Sequence, residues 1–100
     1  MLQTYSVSQL REAVAPIAKR FGVKSVYAFG SYGRHTAKPT SDLDIRIERG
    51  AITSLFELAD FRLTLEEALS IPVDIVTSDI PDKQFLQAIA PDEVLLYAES

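Results

Sequence analysis

The stretch Phe29-Gly30-Ser31-Tyr32-Gly33-Arg34-His35-Thr36-Ala37-Lys38-Pro39-Thr40-Ser41-Asp42-Leu43-Asp44 decides how this chain is read. It begins at the end of one apolar run and finishes inside the next. Lys24 to Phe29 reads as a strand, because Val26, Tyr27 and Phe29 have high β propensity. Gly30 ends it. A residue without a Cβ lets the backbone turn sharply and lets a ligand come close. Ser31 stands at the expected N-cap of a short helical turn over 32–36. Free N–H groups at such an end bind phosphate, the Ser31 hydroxyl adds a donor, and Arg34 offers a charged fork.

Pro39-Thr40-Ser41 turns the chain into a second expected strand, Asp42 to Glu48. Residues i and i+2 of a strand share a face, so Asp42 and Asp44 point the same way. Two neighbouring carboxylates repel unless something positive lies between them. A hard divalent cation fills that role, and Mg²⁺ favours one or two carboxylates plus substrate phosphates. The alternation from Asp42 to Glu48 also fits any half-buried strand with a wet face. The joint pattern is the informative one: a strand, Gly30-Ser31, ten intervening residues, then Asp42-x-Asp44.

That pattern resembles the signature of the polymerase-beta-like nucleotidyltransferase superfamily. The tighter form, Gly30-Ser31-Tyr32-Gly33-Arg34 with Thr40-Ser41-Asp42-Leu43-Asp44, resembles the minimal nucleotidyltransferases. Many of these are the antitoxin half of toxin–antitoxin pairs whose toxin is a HEPN-domain ribonuclease. The resemblance implies a third carboxylate on a neighbouring strand, and Ile71 to Thr77 supplies Asp74. Asp74 interrupts an apolar run that reads as a buried strand, where a lone charge is costly unless paired or metal-bound. Backbone N–H groups or an arginine at the strand's end are the alternative; beside Asp42 and Asp44 the metal-site reading is preferred.

The resemblance further implies a site in which Asp42, Asp44 and Asp74 hold two Mg²⁺ ions, with Gly30, Ser31 and Arg34 on the phosphates of ATP. It implies transfer of AMP to a tyrosine hydroxyl of the cognate HEPN toxin. Assembly with that toxin, or as a homodimer, stays open. An antitoxin that acts by contact alone, with an idle site, is the alternative. A small-molecule nucleotidyltransferase is a weaker one, because no acceptor-binding domain is visible in the sequence. Relatives commonly carry glycine where this chain has His35, its only histidine; the plain reading is an exposed loop residue.

One hundred residues at 47% hydrophobic suit one domain, 1–100, with a small core. The absence of cysteine excludes disulfides and thiolate metal sites and suits a reducing cytoplasm. Met1 to Ser6 lacks the apolar run of a signal peptide, and no stretch approaches the ~20 apolar residues of a membrane span. Residues 1–50 carry 8 Lys+Arg and 4 Asp+Glu, whereas residues 51–100 carry 2 and 10. The acidic total argues against direct binding of nucleic acid. The acidic half is either a solvated surface or a face for a basic partner.

The remaining elements follow from periodicity. Ser8 to Phe21 predicts a helix capped by Ser8, with Leu10, Val14, Ile17 and Phe21 as its stripe, Pro16 on the outer face and Gly22 as the stop. Ser54 to Glu57 matches a capping box that opens a helix to Leu69. Its core stripe is Leu58, Phe61, Leu65, Ala68 and Leu69. Phe56, Ala59 and Leu63 form a second apolar flank, read as either buried on two sides or open to a partner. A short helix carries Phe85, Leu86 and Ile89, and Val94 to Tyr97 reads as a last strand, with a short helix competing. The expectation is an α+β fold: a small mixed β-sheet with helices packed on one face, the polymerase-beta-like palm.

Overall fold

The computed structural model describes residues 4–100, so the first half of the Met1 to Ser6 stretch lies outside the described residues. Helix α1 (Val7–Phe21) starts where its first N–H groups find acceptors. The Ser6 side chain accepts from the Gln9 N–H at 3.1 Å, and the Gln9 side chain accepts from the Ser6 N–H at 2.9 Å. Ser6, not Ser8, is therefore the cap; Ser8 lies inside the helix. Glutamine at the third helical position completes a reciprocal pair two residues earlier than the expected start. Pro16 sits on the exposed side, and Gly22 caps the C-terminus. Leu10, Val14 and Ala18 are buried, while Ile17 and Phe21 are only half-buried.

Four strands follow: β1 (Ser25–Phe29), β2 (Leu43–Glu48), β3 (Val73–Thr77) and β4 (Val94–Ala98). They lie in the order β3-β2-β1-β4. β1 is antiparallel to β2 and β4, and β2 is parallel to β3. A parallel pair needs a crossover, and helix α3 (Leu55–Leu69) supplies it. Val94–Ala98 is a strand because the long edge of β1 is free to pair with it.

In β2 the alternation is complete. Leu43, Ile45 and Ile47 are fully buried, and Asp44, Arg46 and Glu48 face the other way. The buried face joins Val26, Ala28, Val73 and Leu96 to Leu10, Val14 and Ala18 of α1 and to Phe61, Leu65 and Leu69 of α3. Phe21 and Phe61 meet edge-on at 5.4 Å, which ties the two helices together.

At the start of α3 the Ser54 hydroxyl accepts from the Glu57 N–H at 3.1 Å. The Glu57 carboxylate accepts from the Thr53 and Ser54 hydroxyls, so only half of the expected capping box forms. Ala68 is exposed rather than in the core stripe, and Leu58 is half-buried. Leu55, Phe56, Ala59 and Leu63 face solvent, with Phe56 90% exposed. The fold thus buries α3 on one side only, because sheet and α1 cover one stripe and no described element lies over the other. Among the described residues no helix is long and apolar enough to cross a membrane.

Replacing the true cap tests this start of α1. Ser6→Ala is expected to cost about 1 kcal/mol. Ser8→Ala should be neutral or stabilising by up to about 0.5 kcal/mol, the propensity difference. Urea unfolding of the two variants distinguishes them.

Candidate active site

The turn after β1 forms earlier and more tightly than its sequence suggests. Gly30 adopts φ +63°, so the chain reverses at once and helix α2 spans only Gly30–Gly33. Phe29 occupies the cap position without a side-chain bond, and Ser31 is the second helical residue rather than the cap. The turn closes through the Arg34 N–H to the Gly30 carbonyl at 2.9 Å and the Thr36 N–H to the Ser31 carbonyl at 2.8 Å. His35 follows, exposed, at φ +61°. This left-handed backbone is where glycine would sit without strain.

The loop then delivers the acidic pair. The Ser41 hydroxyl accepts from the Lys38 N–H at 2.8 Å, and the Ser41 N–H donates to the Lys38 carbonyl at 2.9 Å. Asp42 comes just before β2, not within it, because ladder pairing starts at Leu43. Asp44 is half-buried and stands directly opposite Phe29 on β1 and opposite Asp74 on β3. Asp74 is exposed, contrary to the buried position its apolar neighbours suggest. β3 is an edge strand with α3 packed against it, so Val73 takes the buried side and Asp74 the open one.

The fit between turn and strand is close. A Cβ added to Gly30 would lie 2.4 Å from Asp44 Oδ2. The missing side chain is thus filled by a carboxylate of the chain itself. Burial holds the Asp44 carboxyl above the usual range, the charges of Asp74 and Asp42 push it further, a hydrogen bond with Asp74 adds to this, and Arg34 opposes it.

Other residues emerge only from the structure. A Cβ at Gly33 would meet the Asp92 carbonyl oxygen at 2.2 Å and the Ala28 carbonyl at 3.1 Å. Asp92 belongs to a 3₁₀ turn (Ala90–Asp92) that follows helix α4 (Lys83–Ile89). Its carboxylate accepts from Arg34 Nη1 at 3.2 Å. The next residue, Glu93, accepts from both Nε and Nη2 of Arg46, the latter at 3.0 Å. Arg46 also donates to the Ser78 hydroxyl at 2.6 Å and stacks over the Tyr27 ring at 4.3 Å. Gly33 lies in the turn already singled out. Asp92 is 58 residues from Arg34 along the chain, so no local pattern announces the pair.

Residues 12–100 match the family described as Polymerase beta, Nucleotidyltransferase. The chain belongs to the polymerase beta nucleotidyltransferase family. A candidate protein adenylyltransferase of Methanocaldococcus jannaschii is 39% identical over 72 residues, covering 72% of this chain and 77% of that protein. A solved structure of a candidate minimal nucleotidyltransferase superimposes with a TM-score of 0.76 at 28% identity, covering 92% of this chain and 97% of the other. A chain from a complex described as tri-AMPylated Shewanella oneidensis HEPN toxin with MNT antitoxin has a TM-score of 0.71 at 17% identity. There the overlap is 93% of this chain and 73% of that one, and it speaks for the fold alone. Gly30–Arg34 and the three aspartates lie at one end of this sheet, where β1 ends and β2 and β3 begin.

Whether a cation suits this end is decided by the donors. They are hard oxygens, and Asp44 feels the charges of both Asp42 and Asp74. Among the described residues no three acidic or histidine side chains are drawn into a ready-made cage. A cation that takes one or two carboxylates and completes its shell with substrate oxygens matches this set, and Mg²⁺ is such a cation.

Two substitutions test the geometry. Because the folded chain holds the Asp44 proton more tightly than the unfolded one, stability falls as pH rises through the window above the ordinary carboxylate value. At neutral pH the ionised Asp44 is then a net cost. Without added metal, Asp44→Asn should raise Tm by a few degrees, since a partly solvated charge is worth up to about 1 kcal/mol and a domain of this size moves ~4–8 °C per kcal/mol. Gly30→Ala should lower Tm, because the new methyl meets the Asp44 carboxylate in a backbone conformation that alanine resists. Combining it with Asp44→Gly should recover part of the loss. Thermal unfolding at two pH values reads both effects.

Proposed function

We propose that this nucleotidyltransferase transfers AMP from ATP to a tyrosine hydroxyl of a HEPN-domain ribonuclease toxin, and so acts as an antitoxin in the cytoplasm. The observation that carries the reading is the Asp44 carboxylate seated over the bare Cα of Gly30 and opposite Asp74. That arrangement sets the Gly30 turn beside two carboxylates that face each other across β2 and β3, which supports a site for phosphate and a cation. Membership of the family, and relatives named as protein adenylyltransferases, support it.

In this reading Asp42, Asp44 and Asp74 would hold two Mg²⁺ ions, which when bound would supply charge stabilisation for the nucleotide phosphates and the departing pyrophosphate. Gly30 and Ser31 present N–H and hydroxyl donors to the β- and γ-phosphates, and Arg34 adds a charged donor. The acceptor oxygen forms a bond to the α-phosphorus as the bond to the pyrophosphate oxygen breaks. In this mechanism Asp74, which is exposed on the edge strand, receives the hydroxyl proton. No side chain of this chain becomes covalently modified, so rate enhancement comes from positioning and charge. Residues 1–100 act as one nucleotidyltransferase domain, and the tyrosine comes from the partner.

The alternative is neutralisation by contact alone, and the observation that favours it is the exposed apolar flank of α3 formed by Leu55, Phe56 and Leu63. Incubation with ATP, Mg²⁺ and the toxin encoded beside it, followed by intact mass measurement of the toxin, separates the two. The expected result is a gain of one or more AMP units that Asp44→Asn abolishes. Ser31→Ala should slow transfer less, because backbone donors remain. A stable complex without any mass gain, and toxin neutralisation that survives Asp42→Asn/Asp44→Asn, would establish the contact mechanism instead.

A further inference from the structure

The segment from Ala90 to Glu93 is distant in sequence from the phosphate-binding turn, yet three contacts lock it there. The Asp92 carbonyl packs where a Gly33 side chain would be. The Asp92 carboxylate takes one N–H of Arg34. Glu93 holds the Arg46 guanidinium by two of its nitrogens, and both of these side chains are largely shielded from water, at 12% and 18% exposure. Arg46 is in turn fixed by Ser78 and by the Tyr27 ring. A bidentate, shielded pair of this kind resists displacement, whereas a single exposed contact does not. Glu93 therefore anchors the segment, and Asp92 is presented to Arg34 from a fixed backbone.

The geometry points to Asp92 as a positioning residue for nucleotide binding, acting through Arg34. An arginine side chain is otherwise free to sample many rotamers, and ordering it on ligand binding costs affinity. Asp92 uses Nη1 alone, at 3.2 Å, so the remaining donors of the fork stay available to a phosphate. The Arg34 side chain is 52% exposed, which leaves those donors open to solvent and to ligand. Gly33 is the enabling residue, because any side chain there would push the Asp92 backbone away. This inference rests on the proposed role of Arg34 toward the triphosphate.

The test is a double-mutant cycle read by equilibrium binding of ATP with Mg²⁺ to the whole chain, with the transfer reaction measured in parallel. Asp92→Ala should weaken ATP binding about two- to fivefold, the scale of an exposed ion pair. It should raise KM by the same factor and leave kcat nearly unchanged. In an Arg34→Ala background the same substitution should have no further effect. Asp92→Glu should restore part of the loss. Additive losses in the cycle, or tighter ATP binding by Asp92→Ala, would overturn the inference; the second result would make Asp92 a competitor of the phosphate. If Arg34→Ala itself leaves ATP binding intact, Arg34 is no phosphate ligand and the underlying reading of that residue fails instead. Thermal unfolding of each variant excludes loss of fold as the cause.

Discussion

Asp44 and Asp74 stand side by side because β2 and β3 run parallel in register, and the rest of the molecule accommodates that repulsion. Like charges on facing strand positions destabilise a sheet. Here the cost falls at the end of the sheet next to the turn, where solvent and Arg34 moderate it. The opposite face of the same strands carries Leu43, Ile45, Ile47 and Val73, all buried under α1 and α3. Burial of that layer outweighs a local cost of the order of 1 kcal/mol, since one fully buried aliphatic side chain contributes about 1.5–3 kcal/mol. The chain can therefore hold an acidic cluster in a strained charge state without losing its fold, the usual relation between stability and a polar site.

The second organising feature is the brace between the motif turn with β2 and the segment just before β4. The motif turn lies near residue 30 and its support near residue 92. Asp92 and Glu93 are adjacent acids that reach two different arginines, one on the turn and one on β2 two residues beyond Asp44. The two contacts differ in kind. The Arg46 pair is shielded and bidentate, and it serves to position backbone; the Arg34 pair is single and exposed, and it leaves donors open. A site of this size has few side chains with which to fix its geometry, and the open face of the sheet supplies most of them.

The motif was legible because its information is local. A strand, a glycine turn and an alternating strand each declare themselves in a few residues, and their spacing led to the family. The helix from Leu55 to Leu69 was legible for the same reason, with a serine cap and a 3.6-residue stripe. Two features depend on more than such local pattern: which residue caps a helix, and how many faces of an element are covered. Ser31 was placed at a cap that Gly30 pre-empts, and Ser8 at a cap that Ser6 and Gln9 take together. Asp74 is exposed although its apolar neighbours suggest a buried strand, and Ala68 lies outside the core stripe, because an apolar run does not say how many of its faces are covered.

Apart from Asp74, which only the family resemblance implies as a site residue, the sequence by itself determined the order of elements, the α+β class, the glycine turn at Gly30–Arg34 and the spacing to Asp42-x-Asp44. These follow from periodicity, turn chemistry and spacing over short stretches of chain. The tertiary structure alone decided the register that sets Asp44 against Asp74, the depth at which Gly30 receives a carboxylate, and the brace from Asp92 and Glu93. Each of these joins residues tens of positions apart. Their approach depends on how strands pair and helices pack, and that arrangement leaves no periodic trace in the residues themselves.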